Sequence, residues 1–298
     1  MQQTIHLIID MNSLICRDFF ALIRSEKDLV LDPEKLVIYR VITQLLQLQN
    51  RFMTNNLYFA FDHKSIRYDI FPNYKKRRKT LNKPRKGDTV DFTMKRKELL
   101  VEVTKKIRRI VLKRILGFKN VYRKYGYESD DIVASLCVDN KLPVKDLKIV
   151  VTGDKDLYQL IGKNNTMVFD LKKKKLINKQ DFIKMYGIKP DYWNIVKAMC
   201  GDDSDDIPGI EGIGESRAIA FVKNNLHPNF VEKIQGQQKL IDSNLKLVTL
   251  PMNHQSLDYT FIKRKKDTTS IDKWRLFCDR FGIRTLLNTP LKGNNKNG

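Results

Sequence analysis

The sequence predicts an α/β protein built on a mostly parallel central sheet flanked by helices. Three short apolar runs carry this reading: IHLIID (5–10), NLYFAFD (56–62) and LKIVVTGD (147–154). Each is rich in β-branched or aromatic residues and lacks a clean alternation, as expected of strands covered on both faces. Helical stretches at 33–50 and from about Lys95 to Leu116 separate them, and this alternation points to an open α/β sheet. All three runs end in an aspartate, Asp10, Asp62 and Asp154. Ligands of parallel sheets bind just beyond the carboxyl ends of the strands. If the three strands are neighbours, three carboxylates converge there.

The remaining elements follow in chain order. Residues 63–92 are intensely basic, hold Tyr68, Phe71 and Tyr74 among the cations, and carry Pro72, Pro84 and Gly87 as breakers. The stretch is too long for a routine connection, so it is either a functional insertion or disordered, and aromatics beside cations suit stacking on bases next to phosphates. TMVFDLKKKKLINKQDF (166–182) reads as a β-hairpin with a basic turn. A helix is expected at about 191–200 and another from Glu215, with 227–290 helical and loop-like and KGNNKNG a disordered tail.

Charge narrows the class of function. The 298 residues hold 56 Lys and Arg against 34 Asp and Glu, a net +22, far beyond what solubility requires. Such an excess is the footprint of a polyanion partner, nucleic acid first. The four cysteines, Cys16, Cys137, Cys200 and Cys278, are scattered without a CxxC pair, which fits core thiols in a reducing cytoplasm. The N-terminus has no basic region before its apolar run and is broken by Asp10, so no signal peptide is expected, and no apolar run approaches membrane-spanning length.

Against this positive background the acids are clustered. GYESDDIVA places Glu128, Asp130 and Asp131 at the start of an apolar-periodic helix, where one acid would suffice as a cap. VVTGDKDLYQL adds Asp154 and Asp156, and CGDDSDDIPGIEGIG packs Asp202, Asp203, Asp205 and Asp206 into five positions. So many carboxylates cannot all ionise in one cleft unless cations neutralise them. Oxygen ligands without His or Cys select Mg²⁺ or Mn²⁺. Two such ions beside a polyanion imply phosphodiester hydrolysis. The acidic stretch runs into IPGIEGIGESRAIAFV, whose Gly209, Gly212 and Gly214 alternate with Ile210 and Ile213, the pattern of a helix–hairpin–helix. Such a loop offers backbone N–H groups to a phosphate and reads no base.

IIDMNS, FAFD…R…FPNYKKRR, GYESDDIVA, VVTGDKDLYQL and KAMCGDDSDDIPGIEGIGESRA, in this order, resemble the 5′-nuclease (flap endonuclease) superfamily. The resemblance is to the phage 5′–3′ exonucleases and the 5′-nuclease domain of bacterial DNA polymerase I, and runs from about residue 5 to 222. It implies an α/β catalytic core at 1–182 carrying a helical arch at about 63–103. It also implies a helical DNA-binding region at 183–298 with a helix–three-turn–helix at about 191–225. By motif position Asp10, Asp62, Glu128, Asp130 and Asp131 would form a first metal site, and Asp154, Asp156, Asp202 and Asp205 a second. Lys75 and Arg78 match the cations at the arch base that steer the scissile phosphate, and Tyr74 the aromatic beside them. Arg67, Lys76, Arg77, Gly209, Gly212, Gly214, Ser216 and Arg217 would contact DNA. The loop carbonyls at Ile210 and Ile213 would hold K⁺.

The activity implied is a free-standing, monomeric, Mg²⁺-dependent 5′–3′ exonuclease and flap endonuclease of the replication machinery, in a host cytoplasm if a phage encodes it. It would act on DNA with a 5′ flap, a nick or a single-stranded 5′ end, and on RNA–DNA hybrids at primers. Two departures from the family pattern stand out: Ser129 where alanine is usual, expected to be harmless, and Asp206 where asparagine is usual, expected to add negative charge near the metals. Two alternatives are a non-catalytic DNA-structure-binding protein on the same fold, which should have lost several of the nine carboxylates, and a PIN-like ribonuclease, which should lack the insertion and the glycine hairpin.

Overall fold

In the computed structural model, which describes residues 3–30, 32–76 and 88–295, the three predicted strands lie side by side. β1 (Ile5–Asp10) pairs in parallel with β2 (Leu57–Ala60) on one side and β4 (Leu147–Thr152) on the other. β3 (Val121–Tyr122), β5 (Thr166–Asp170) and β6 (Lys175–Ile177) complete a six-stranded sheet in the order β3-β2-β1-β4-β5-β6. Only β6 runs antiparallel, returning from β5 through the lysine-rich turn. The register sets Asp10 opposite Ala60 and Ile9 opposite Val151, so the central strands finish level with one another.

The weak alternation of the strands has its cause in two cores. Leu7, Ile9, Phe59, Ile149 and Val151 face one side, where they meet α1 (Met11–Leu22) and α2 (Pro33–Phe52). Ile8, Tyr58, Ala60, Val150 and Val168 face the other, against α4 (Ser129–Val138), α6 (Trp193–Cys200) and α9 (Gln238–Val248). Between these come α3 (Val90–Lys106), α5 (Lys179–Tyr186), α7 (Glu215–Val222) and α8 (Pro228–Gln235), and α10 (Ile271–Phe281) closes the order. Helix ends follow local chemistry. Asp10 caps α1 by accepting from the Ser13 N–H, and α2 begins with the Asp32 carboxylate on Lys35 N–H and Pro33 in the first turn.

Three features differ from the sequence reading. The long helix starts at Val90, and from Ile107 to Ile115 its winding loosens to π-helix, with the Leu116 N–H bonding the Val111 carbonyl at 2.9 Å. Its inward residues, Ile107, Val111, Leu112 and Ile115, are spaced to keep one apolar face on the core through the looser turn. The two-residue β3 has too little sequence signal to be read from periodicity. The C-terminal segment also divides between the two faces: α6 to α9 pack on one, while Trp274, Phe277 and Phe281 of α10 enter the core formed by α1, α2 and β1.

Trp274 is 1% exposed and its indole N–H donates to the Leu286 carbonyl at 2.8 Å. Trp274→Ala is expected to cost about 3–5 kcal/mol. It should lower the urea midpoint of a single cooperative transition; separate unfolding of α10 ahead of the sheet would contradict this shared core.

Candidate metal centre

A cleft of about 760 Å³ opens beyond the carboxyl ends of β1, β2 and β4. Asp10, Asp62, Glu128, Asp130, Asp154, Asp156, Asp202 and Asp205 all line it. Asp10 ends β1, Asp62 follows β2 by two residues, and Asp154 follows β4 by two. Glu128 and Asp130 stand at the start of α4, and Asp202 and Asp205 in the turn that follows α6. A second cavity, about 820 Å³, lies between residues 52–56 and 290–295, and no carboxylate lines it.

Three bridges hold the carboxylates apart. Ser129 donates its N–H to Asp62 Oδ1 at 2.7 Å and its hydroxyl to Asp10 Oδ1 at 3.0 Å, so one residue sets two of them. Lys197 on α6 places its ammonium 2.9 Å from Asp156 Oδ1 and 3.0 Å from Asp202 Oδ2. Tyr74 and Lys75 join the two halves of the cleft. The Tyr74 hydroxyl lies 2.8 Å from Glu128 Oε2 and 3.0 Å from Asp205 Oδ2, and the Lys75 ammonium pairs with Glu128 and stands 3.4 Å from Asp205. Lys75 takes a left-handed backbone (φ 52°), and its N–H bonds the Asp205 carbonyl at 2.9 Å. Thr152 adds a hydroxyl donated to Asp10 Oδ2 at 2.9 Å.

The remaining predicted residues fall elsewhere. Asp131 is fully buried behind the cleft. One oxygen each of Glu128, Asp130 and Asp131 lies within 4.8 Å of the others, but both Asp131 oxygens are already saturated. They accept from the Arg67 guanidinium at 2.6 and 2.9 Å, from Met252 N–H at 2.9 Å and from Glu128 N–H at 3.3 Å. Arg67, expected at the DNA surface, is 2% exposed and is held by this pair, by Glu128 and by the Leu247 carbonyl. Burial of a charge demands such a partner, so the arginine is internal. Lys76, Ser216 and Arg217 are exposed, whereas Arg77 and Arg78 lie outside the described residues.

The acidic turn has a simple geometry. Asp202 and Ile207 exchange both backbone hydrogen bonds, at 2.9 and 3.0 Å, which turns Asp202 and Asp205 into the cleft. Asp203 and Asp206 do not line it; the φ of 56° at Asp206 is a left-handed position that Asn and Asp tolerate. Gly209 packs so tightly that a Cβ would stand 2.2 Å from the Cys200 carbonyl oxygen. Gly212 takes φ 77°, and Gly214, at the N-terminus of α7, has open space around it. Ile210 and Ile213 are buried, and the Ile210 carbonyl accepts from the Ile213 N–H.

Sequence reasoning missed Ser129 and Lys197. Ser129 was expected to be harmless in place of alanine, yet its hydroxyl bonds a cleft carboxylate. Lys197 had a readable signal: a lysine in the last turn of a helix that points at an acidic cluster.

Burial and mutual repulsion set the charge state of the cleft. Burial, then the Asp62 carboxylate, pushes Asp10 up to about 7. Burial, then Asp154, does the same to Asp156, also to about 7. Burial and Asp131 drive Asp130 well above the carboxylate range. Burial raises Asp202, but Lys197 and the hydroxyl and N–H of Ser204 together outweigh it and hold that carboxyl low. Eight carboxylates, with no imidazole and only Cys16 as a thiol among the described lining residues, fit hard divalent cations.

Fold and cleft thus define an α/β protein with a carboxylate-lined cleft at the strand ends, whose oxygen donors could hold cations. The chain matches the family described as "5'-3' exonuclease, N-terminal resolvase-like domain" over residues 5–187, and it belongs to that 5′-3′ exonuclease family of nucleases. It is 30% identical over 223 residues to a 5′-3′ exonuclease of Aquifex aeolicus (strain VF5), covering 72% of this chain and 68% of that protein. It is 28% identical to a 5′-3′ exonuclease of Mycoplasmopsis pulmonis, covering 73% and 66%. The fold is similar to that of the bacteriophage T5 5′-exonuclease with bound zinc, at TM-score 0.66 and 16% identity, over 96% of this chain and 99% of that one. It also matches a T5 flap endonuclease structure with DNA and metal ions, at 0.66 and 18%, over 95% and 98%. No helix among the described residues is long and apolar enough to cross a membrane.

Two predictions follow from the charges. Asp10 and Asp156 hold protons in the folded chain up to about pH 7, but in the unfolded chain only up to the ordinary value of 3.8. The folded state therefore binds the extra protons, and stability falls as pH rises from about 4 to about 7, by roughly 1.4 kcal/mol per pH unit for each group. Melting in EDTA should show a lower Tm at pH 8 than at pH 5. Added Mg²⁺ should restore it at pH 8 and change little at pH 5, and a Tm indifferent to Mg²⁺ at pH 8 would contradict the cation site. Arg67→Ala should cost about 3–5 kcal/mol by leaving Asp131 buried and unpaired. Much of that loss should return in Arg67→Ala/Asp131→Ala, read from urea midpoints.

Proposed function

We propose that the protein is a divalent-cation-dependent 5′–3′ exonuclease and flap endonuclease that hydrolyses phosphodiesters near the 5′ ends, flaps and nicks of DNA, RNA primers included. The observation that carries this reading is the gathering of eight carboxylates on one cleft in a chain of net charge +22. Membership of a nuclease family and the fold shared with a T5 flap endonuclease in complex with DNA support it.

Asp10, Asp62, Glu128 and Asp130 would hold one Mg²⁺ or Mn²⁺, and Asp154, Asp156, Asp202 and Asp205 a second. Asp131 would act through Arg67 as an anchor for the first set. When bound, the two cations would lower the pKa of a water and neutralise the leaving oxygen of the cleaved ester. The chain's own part is positional. Ser129 and Thr152 orient Asp10, and Ser129 fixes Asp62 from the start of α4. Lys75 spans Glu128 and Asp205, at the junction of the two halves, and its ammonium would meet the scissile phosphate once the carboxylates are otherwise neutralised. Burial pulls that ammonium down, but Glu128 and Asp205 outweigh it and keep it charged. Tyr74, packed under Lys75 with its ring 4.7 Å from the ammonium, limits where the lysine can go. The 209–214 loop would take the flanking duplex by its backbone, with K⁺ on the loop carbonyls, and Ser216 and Arg217 would meet the adjoining phosphates.

The test uses a 5′-labelled DNA flap with Mg²⁺ or EDTA. The wild type should cut near the flap junction only with Mg²⁺. Asp154→Ala/Asp156→Ala should lower cleavage by at least about 10³-fold while binding changes little. Tight binding without cleavage in both Mg²⁺ and Mn²⁺ would instead identify a DNA-structure-binding protein with an idle site.

A further inference from the structure

The π-helical stretch Ile107–Ile115 presents cations that the cleft does not use. Its N–H groups bond five residues back, so residues five apart fall on one face. With Ile107, Val111, Leu112 and Ile115 turned to the core, Arg108 and Lys113 stand on one outward column and Arg109 and Arg114 on the next. A nine-residue π-helix is long, and this winding is what lines the cations up in pairs.

The first column has basic neighbours on both sides. On one side the exposed segment Lys263–Lys266 is pinned beside β3. The Lys265 N–H donates to Asn120 Oδ1 at 2.8 Å, and its carbonyl accepts from Asn120 Nδ2 at 2.7 Å. On the other side stands Arg123, whose Nε donates to the Asp62 carbonyl at 2.9 Å and so reaches the rim of the cleft. Next to it Tyr125 is 58% exposed, edge-on to His63 at 5.4 Å and under the Lys64 ammonium at 5.9 Å. Among the described residues, Arg108, Arg109, Lys113, Arg123 and Lys265 make no ion pair. They act on one another instead. Lys113 is pushed down by burial and by Arg108, Lys265 and Arg109, and Arg108 by burial and by Arg123 and Arg109.

Like charges held together without acids are unfavourable unless an anion arrives, and a row of them fits a polyphosphate backbone. An exposed tyrosine at the end of the row fits an unpaired base, since a base inside a duplex offers no open face. We infer that Arg108, Lys113, Lys265, Arg123 and Tyr125 form a track for a single-stranded nucleic-acid arm leaving the cleft at Asp62. This rests on the nuclease reading above and adds to it where the unpaired arm runs.

The test is fluorescence anisotropy in EDTA, which separates binding from cleavage. Two probes are compared, a duplex junction bearing a 5′ single-stranded arm of about ten nucleotides and the same duplex without the arm. Arg108→Ala/Lys113→Ala/Lys265→Ala should bind the armed probe roughly ten-fold more weakly. It should also flatten the plot of log affinity against log salt by about two, as expected for three lost phosphate contacts on a single strand. Affinity for the armless duplex should stay within about two-fold. Tyr125→Ala should weaken the armed probe by about five-fold or more without changing the salt slope. Lys113, Lys265 and Tyr125 are exposed and Arg108 is half-buried, and matching melting curves confirm folding. Equal loss on both probes, no loss on either, or an inert Tyr125→Ala overturns the track. A wild type that binds neither probe overturns the nuclease reading instead.

Discussion

Carboxylates gathered at the ends of parallel strands repel one another, and they stay folded together only where positive charge or donors stand between them. This chain supplies two kinds of positive charge. Lys75 and Lys197 sit in the cleft on flexible stems, each between two carboxylates, and both are partly exposed. Arg67 is different, since its planar fork is buried and clamps Asp131 through two nitrogens. An ammonium on a long stem can be displaced by a cation of higher charge density, whereas a buried bidentate guanidinium cannot leave without stranding its partner. The acids are thus sorted into those met by displaceable ammoniums in the cleft and one that holds the frame.

The sheet and the gathering of acids at its strand ends were legible in the sequence. Both-face burial shows as apolar runs without alternation, and the strand-terminal aspartates follow from where those runs stop. Arg67 was not legible, because an arginine beside a basic run gives no sign that it turns inward to a carboxylate 64 positions away. The same holds for Asp131: one position separates it from Asp130, yet a helix turns adjacent residues about 100° apart, so one meets the cleft and the other the interior. The inward path of α10 was equally hidden, since its apolar stripe fits either face of the sheet. Ser129 was misjudged because a small side chain at a helix start reads as a tolerated change until its neighbour across the sheet is known.

The buried pair also explains how the helical segment after the cleft is held to it. Arg67 Nε donates to the Leu247 carbonyl, Asp131 accepts from the Met252 N–H, and Gln159 donates to the Val248 carbonyl and accepts from the Leu250 N–H. Four groups of the 247–252 stretch are therefore satisfied by side chains from three different parts of the α/β core. Because α9 carries that stretch and packs on α6, whose end leads into the 202–207 turn, the position of Asp202 and Asp205 depends on the same network. The glycines tighten the linkage: Gly201 and Gly209 touch backbone to backbone, so the hairpin loop cannot shift without moving the turn. A carboxylate that never reaches the cleft thus helps to set where two that do reach it stand, and the 209–214 loop is held in register with them.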